Sequence, residues 1–123
     1  MNAVVADGFT QLALTNAIDA AKSIYDNNYD YTTVTPQALA ALDPKAQFGE
    51  IAQSNAHVIG VLAQDRNDVL LVTRSPSGRW YCVTENAMDG ISYGEGATRG
   101  SVDSNGECQQ PAWPPPGQDQ HAF

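Results

Sequence analysis

The helical pattern at the start of the chain is the feature that most constrains its fold. Residues 3–28 contain no proline and one glycine, Gly8, so they predict a single long helix. Met1 and Asn2 leave no room ahead of it for a capping residue or a turn, which normally satisfy the first free N–H groups of a helix. A helix of this length must bury an apolar face, so its pattern indicates what packs against it.

The apolar face of this helix changes sides along its length. At about 100° per residue, Val5, Phe9 and Leu12 form one stripe. A second stripe lies on roughly the opposite face and consists of Leu14, Ile18, Ala21 and Tyr25. One partner cannot bury both stripes, so we expect the second half of the helix to pack on the domain's own core and the first half on something absent from this chain. The alternative is a frayed N-terminus with incidental apolar residues.

Composition and charge exclude several classes of protein. With 123 residues, of which 42% are hydrophobic, the chain is large enough for one domain with its own core. The net charge is −8 and the 6 Lys and Arg residues are scattered singly, which argues against direct nucleic-acid binding and against adhesion to anionic lipid. The sequence has no apolar stretch of membrane-spanning length and no recognisable signal peptide. Given the abrupt start of the helix, we interpret this as truncation of a longer protein.

The two cysteines, Cys82 and Cys108, predict a single disulfide in an oxidising compartment. Such a bond would stabilise the fold by about 3–4 kcal/mol in the chain-entropy description. Two buried free thiols are the alternative. A metal site is disfavoured because neither cysteine has a second Cys or a His at ligand spacing.

The middle of the chain predicts a short helix followed by strands. Thr35 has the form of an N-cap and Pro36 of a first helical residue, so residues 36–42 predict a helix that ends at Asp43. Beyond Gln47 the period of the pattern changes to two. Residues 56–64, 69–74 and 79–85 then predict three strands joined by turns, and residues 91–93 predict a short edge strand.

Pairing these strands in simple register divides their side chains between two faces. The more branched and apolar face, to which we assign the second helix stripe, carries Ile59, Val61, Ala63, Leu70, Val72, Tyr81 and Val83. The other face carries Val58, Gly60, Leu62, Leu71, Thr73, Trp80 and Cys82.

The predicted fold class is therefore α+β. A long N-terminal α-helix packs on a three- to four-stranded antiparallel β-meander, and a disulfide closes the C-terminal loop. The globular domain spans residues 1–110. Residues 111–123 contain Trp113 and a run of consecutive prolines, so they predict an extended, solvated tail.

Several segments of the chain resemble the type IV pilins and the pseudopilins of type II secretion. Residues 20–31, AAKSIYDNNYDY, resemble the helix exit of that family, where an alanine-rich helix ends in tyrosines and asparagines before a segment with a leucine such as Leu39 or Leu42. Residues 75–82, SPSGRWYC, are similar to the family's later hairpin. The glycine-rich region that ends at Cys108 is similar to the family's disulfide-bounded C-terminal region. Together these segments extend the resemblance over roughly residues 3–108.

This resemblance implies a subunit of an extracellular filament with a pilin-like fold. Full-length pilins carry a leader and a long apolar segment, which anchors the subunit in the membrane before assembly and forms the filament core. The resemblance implies that this segment is missing here, and that Val5, Phe9 and Leu12 face neighbouring helices as an assembly interface. The implied partners are other pilin subunits and an inner-membrane assembly platform, at the cell surface.

Residues suited to catalysis are few, and we expect no enzymatic activity. We also expect no cofactor, apart from the calcium ion considered below. His57 is predicted on a strand and His121 in the tail, without a partner that would make either a general base. Cys82 lies beside Tyr81 in an apolar strand, where a nucleophilic thiolate is disfavoured.

One segment offers a candidate calcium site. Asp103, Asn105 and Glu107 alternate on a glycine-bent loop and supply the oxygen ligands that Ca²⁺ requires. The resemblance agrees, because some pseudopilins hold calcium in their C-terminal loop. The alternative is a solvated acidic turn.

Two functions follow from these observations. The first is a structural subunit of a type IV pilus or a type II secretion pseudopilus, which polymerises through its N-terminal helix. The alternative is a secreted, non-filamentous binding module that recognises a ligand through residues 86–110 and Trp113. The two hypotheses differ in the effect of changing Phe9 to Asp, which abolishes filaments in the first case and leaves function intact in the second.

Overall fold

One long helix lies across a five-stranded sheet. The structure, a computed structural model, describes residues 3–104, 107, 108 and 113. Its helices are α1 (Ala3–Asn28) and α2 (Pro36–Leu42), and its strands are β1 (Phe48–Glu50), β2 (Ile59–Asp65), β3 (Asp68–Arg74), β4 (Trp80–Asn86) and β5 (Gly90–Gly96). Single 3-10 turns occupy Tyr31–Thr33, Ile51–Gln53 and Arg99–Ser101. The predicted α+β class, with an N-terminal helix packed on a sheet, is confirmed.

The sheet is mixed rather than a simple meander. Strands β2 to β5 pair antiparallel in chain order, whereas β1 pairs with β2 in parallel, with Phe48 opposite Ile59. The expectation of three or four antiparallel strands is therefore wrong in strand number and in the direction of β1. The turn Ile51–Gln53 returns the chain beside β2 and passes so close to it that a Cβ on Gly60 would lie 2.8 Å from Ile51 Cα.

The two helices have the bounds that the sequence predicts, and α2 has the predicted cap. Thr35 Oγ1 accepts a hydrogen bond from the backbone N–H of Ala38 at 3.1 Å, and Pro36 occupies the first turn. At the other end, the backbone N–H of Asp43 donates to Leu39 O at 2.8 Å. These contacts satisfy backbone groups that a short helix leaves unpaired at its ends.

The face of α1 that packs on the sheet is continuous along the helix. Leu14 and Ile18 are fully buried in the main core, and Tyr25 packs against its edge, as predicted. The same face continues toward the N-terminus through the small buried residues Ala6 and Thr10. The prediction that the first half of the helix packs on something outside this domain is therefore wrong, because Ala6 and Thr10 in that half are buried within the domain.

The side chains of β3 point to the opposite faces from those predicted. Val69 and Leu71 lie in the core beneath α1, whereas Leu70 and Val72 lie on the far side of the sheet. The cause is a bulge at Gln64, since Asp65 pairs with Asp68 but Ala63 pairs with Val69. One extra residue in β2 shifts the register by one and exchanges the faces of its partner.

The far face of the sheet has a small core of its own. It contains two cysteines and three aliphatic residues, all buried: Leu70, Val72, Cys82, Val102 and Cys108. Cys82 and Cys108 form the predicted disulfide, with their Cα atoms 5.8 Å apart. This bond fixes the segment after β5 against the middle of the sheet. It also indicates a non-reducing environment.

Candidate assembly surface

The predicted assembly stripe lies on the outward side of α1. Val5 is 43% exposed, Phe9 60% and Leu12 44%, and they are among the large hydrophobic residues that the domain leaves in contact with solvent. The outward side changes character after Leu12, because the residues that follow on it, Asn16 and Asp19, are exposed and polar. The helix therefore presents an apolar outer surface over its first half only.

A polar contact holds this half of α1 against the body of the domain. Ser77 Oγ, in the turn between β3 and β4, donates a hydrogen bond to Asp7 Oδ1 at 2.6 Å. Burial by itself would raise the pKa of Asp7, but hydrogen bonds from Ser75, Ser77 and Tyr81 outweigh it, and the pKa of this carboxyl is lowered. At neutral pH, Asp7 is therefore ionised and accepts the hydrogen bond from Ser77 as a carboxylate. The stripe is thus displayed by a helix that is fixed in position at its N-terminal half.

A groove runs beside the stripe, at the end of the sheet where β2 begins and β3 ends. It has a volume of about 480 Å³ and separates the first half of α1 from the segments that flank β1, β2 and β3. We call it the basic groove and define it by three apolar residues, Phe9, Ala13 and Ile59, and three residues with basic side chains, Lys45, His57 and Arg74. Among the described residues, neither Lys45 nor Arg74 forms an ion pair.

The wall of the basic groove is held by hydrogen bonds between its segments. Asn55 Oδ1 accepts from the backbone N–H of His57 at 2.7 Å and thereby sets the position of that residue. The backbone N–H of Arg74 donates to Asn55 O at 3.2 Å, and Thr73 Oγ1 donates to the same carbonyl at 2.8 Å. Contacts within the chain therefore shape this wall of the groove. Sequence reasoning missed it because its residues come from four separate segments, and no local pattern marks them.

The candidate calcium loop is described only in part. Asp103 is half-buried, Glu107 is exposed, and Asn105 lies outside the described residues. Glu107 Oε1 accepts a hydrogen bond from Ser104 Oγ at 3.2 Å, which is a local contact within the turn. Across residues 3–104, 107, 108 and 113, no three His, Cys, Asp or Glu side chains converge as a metal-binding group. The described residues thus provide no assembled cation site here.

Trp113 is buried, which differs from the predicted solvated tail. Its side chain is 3% exposed and packs edge-on against Tyr81 and Tyr93 on the helix side of the sheet. Its indole N–H donates to Cys82 O at 3.1 Å and to Gly94 O at 2.7 Å. The tail prediction is therefore wrong at Trp113, and the rest of residues 111–123 lies outside the described residues. A ring held in this way cannot also contact a ligand, as the binding-module hypothesis requires.

The remaining polar residues form no described catalytic arrangement. His57 is exposed at the basic groove rather than within β2, so its predicted place on a strand is wrong by two residues. Cys82 is bonded to Cys108 and has no free thiol. His121 lies outside the described residues. None of the helices in the described part of the chain combines the length and hydropathy needed to cross a bilayer.

Comparisons with models of protein families, with characterised proteins and with solved structures give no match to this chain. The fold and the surfaces described above are therefore the basis for its function.

Proposed function

We propose that this protein is a structural subunit of a type IV pilus or a type II secretion pseudopilus, and that it polymerises through the outer surface of α1. The observation that supports this proposal best is the exposure of Phe9 and Leu12 on a helix whose other face packs on the sheet and is largely buried. Large apolar side chains on one side of a fixed helix are typical of a surface that packs against a partner.

Two further features agree with this proposal. The order of elements, a long helix followed by a sheet and a disulfide-closed segment, corresponds to the order in which the sequence resembles pilins. The Cys82–Cys108 disulfide suits an extracellular location. A subunit of this kind acts by assembling into a filament and not by catalysing a reaction. Its proposed partners are other pilin subunits and an assembly platform in the inner membrane.

Leu12→Asp is the variant that tests the proposed function. Leu12 is exposed and does not line the basic groove, so the charge affects packing between α1 and its neighbours without disturbing the core. We expect the variant to fold normally and to abolish surface filaments, seen by electron microscopy of cells that express the full-length gene. Asn16→Asp, which adds the same charge one turn further along the outward side, is the matched control and should leave filaments intact. Normal filaments in Leu12→Asp cells would refute assembly through this surface.

A further inference from the structure

The hairpin between β4 and β5 presents an exposed apolar side chain beside a carboxylate. Met88 is 86% exposed, the highest exposure among the large hydrophobic residues of the described chain, and Asp89 next to it is also exposed. We call residues 87–90 the acidic tip. An isolated, fully exposed methionine has no function in the fold of its own chain, but methionine adapts well to an apolar surface on a partner.

The acidic tip is held in one conformation. Asn86 Oδ1 accepts hydrogen bonds from the backbone N–H groups of Met88 at 2.8 Å and of Asp89 at 2.9 Å. Gly90 has a φ of +91°, which closes the turn in a way that other residues rarely allow. The backbone N–H of Ala87 donates to Asn67 O at 2.9 Å and ties the tip to the neighbouring turn. A preorganised tip loses little conformational entropy on binding.

The acidic tip and the basic groove lie at opposite ends of the sheet. Arg74 pairs with Trp80 at one end of β3 and β4, whereas Asp68 pairs with Asn86 at the other. At about 3.4 Å per residue, the length of β4 separates these ends by about 20 Å. The tip of one molecule therefore cannot reach its own groove.

The two surfaces match in chemistry. The groove offers an apolar floor around Ile59 and two cations without an ion pair among the described residues, Lys45 and Arg74. The tip offers one apolar side chain and one carboxylate. In a chain of net charge −8, with 6 Lys and Arg in all, two exposed cations at one apolar groove are a local exception that favours an acidic occupant.

We propose that the acidic tip of one molecule docks in the basic groove of a second copy of this chain, with Met88 on the apolar floor and Asp89 between Lys45 and Arg74. The contact joins two different surfaces, so it is heterologous. Each added copy leaves one tip and one groove free at the ends, and the assembly can therefore extend by further copies. It would provide a head-to-tail contact in addition to the packing of α1, and its biological meaning rests on the proposed filament function.

Charge exchange between Arg74 and Asp89 tests the contact with the purified protein. Sedimentation velocity over a range of concentrations should show self-association of the unmodified chain. We expect Arg74→Glu alone and Asp89→Arg alone to raise the dissociation constant at least about tenfold, because each places like charges together. An equimolar mixture of the two variants should associate again, since the Arg74→Glu variant keeps the native tip and the Asp89→Arg variant keeps the native groove. Asp19→Arg, on the exposed side of α1, changes the net charge by the same amount as Asp89→Arg. As the control, it should associate at least as strongly as the unmodified chain.

A cysteine pair provides a second measurement that does not depend on charge. Under mild oxidation, a mixture of His57→Cys and Met88→Cys should form dimers that join the two different variants, identified by mass spectrometry. Each variant on its own should form far fewer dimers. Thermal unfolding by circular dichroism verifies that every variant is folded before it is tested.

The outcomes separate this inference from the proposed function. A mixture that stays monomeric, or single variants that associate like the unmodified chain, would overturn the contact even if Leu12→Asp abolishes filaments. Restored association in the mixture would support the contact even if Leu12→Asp cells keep their filaments, and in that case it is assembly through α1 that fails.

Discussion

Asp7 is one of the residues that link the stability of the domain to pH. It lies on the half of α1 that carries the candidate assembly stripe of Val5, Phe9 and Leu12, and its carboxylate accepts the hydrogen bond from Ser77 at 2.6 Å. Its pKa is lowered from the ordinary value of 3.8. A group whose pKa is lower in the folded state stabilises the fold at all pH values above its unfolded-state pKa. That contribution is lost as the pH falls through the lower, folded-state value.

Asp7→Asn should therefore destabilise the protein at neutral pH and have little effect in acid. We expect a loss of about 1 kcal/mol at pH 7, because the amide retains an acceptor but not the charge, and the site is partly exposed to solvent. At a pH below the lowered, folded-state pKa of Asp7, the difference from the unmodified protein should disappear. Urea unfolding at pH 7 and at low pH measures both values. Asp19→Asn, on the exposed side of the same helix, should change neither, and an equal loss in both variants would show that Asp7 acts only through the net charge.

At the scale of the element, Trp113 joins two neighbouring strands from one side. Its indole N–H donates to carbonyl groups of both β4 and β5, and its ring covers Tyr81 and Tyr93. Cys108 contacts the opposite face of the same sheet through its bond to Cys82. Trp113 thus contacts β4 and β5 on one face of the sheet, and Cys108 is bonded to β4 on the opposite face.

Trp113→Phe should loosen β5 without unfolding the domain. Phenylalanine keeps most of the apolar contact but removes the donor, which we expect to cost about 1–3 kcal/mol. Hydrogen exchange followed by mass spectrometry should show faster exchange in β5 than in β2, whose pairing with β3 does not involve Trp113. Unchanged exchange in β5 would mean that the hydrogen bonds to Cys82 O and Gly94 O contribute nothing to its stability.

The sequence specifies some elements of this fold and leaves others open, for physical reasons. The bounds of α2 were predictable because Thr35 and Pro36 form a local start signal. The faces of β3 were not, because residues 69–72 are all apolar and alternation therefore gives no choice between them. A single bulge at Gln64 makes that choice, and nothing in the sequence around Gln64 marks it.

Some residues of the candidate surfaces could likewise be predicted from the sequence, and others could not. The exposed stripe follows from the helical period of one segment, so Phe9 and Leu12 could be placed on the outward side from the sequence. Lys45 and Arg74 come together only when β1 pairs in parallel with β2 and closes the end of the sheet, a pairing that the alternating pattern does not indicate. The burial of Trp113 was missed because the prolines around it are typical of solvated segments.

At the scale of the whole molecule, the net charge opposes the proposed head-to-tail contact. Two copies, each of charge −8, repel each other over distances that exceed the size of the groove. Dissolved salt screens this repulsion, since the Debye length falls from about 30 Å at 0.01 M to about 8 Å at 0.15 M ionic strength. In the proposed contact, Asp89 and the cations of the basic groove would be partly shielded from solvent, so salt would weaken their attraction much less.

Self-association should therefore strengthen, not weaken, as sodium chloride rises from about 0.01 to about 0.15 M. Sedimentation velocity of the purified chain at several salt concentrations measures this dependence. The double variant Arg74→Glu/Asp89→Arg has the same net charge and still pairs opposite charges at positions 74 and 89, but its tip also meets the unchanged Lys45. It should therefore associate more weakly than the unmodified protein and show the same trend with salt. Association that weakens steadily from the lowest salt concentration would contradict this account, because attraction between the tip and the groove would then outweigh the repulsion between whole molecules at long range.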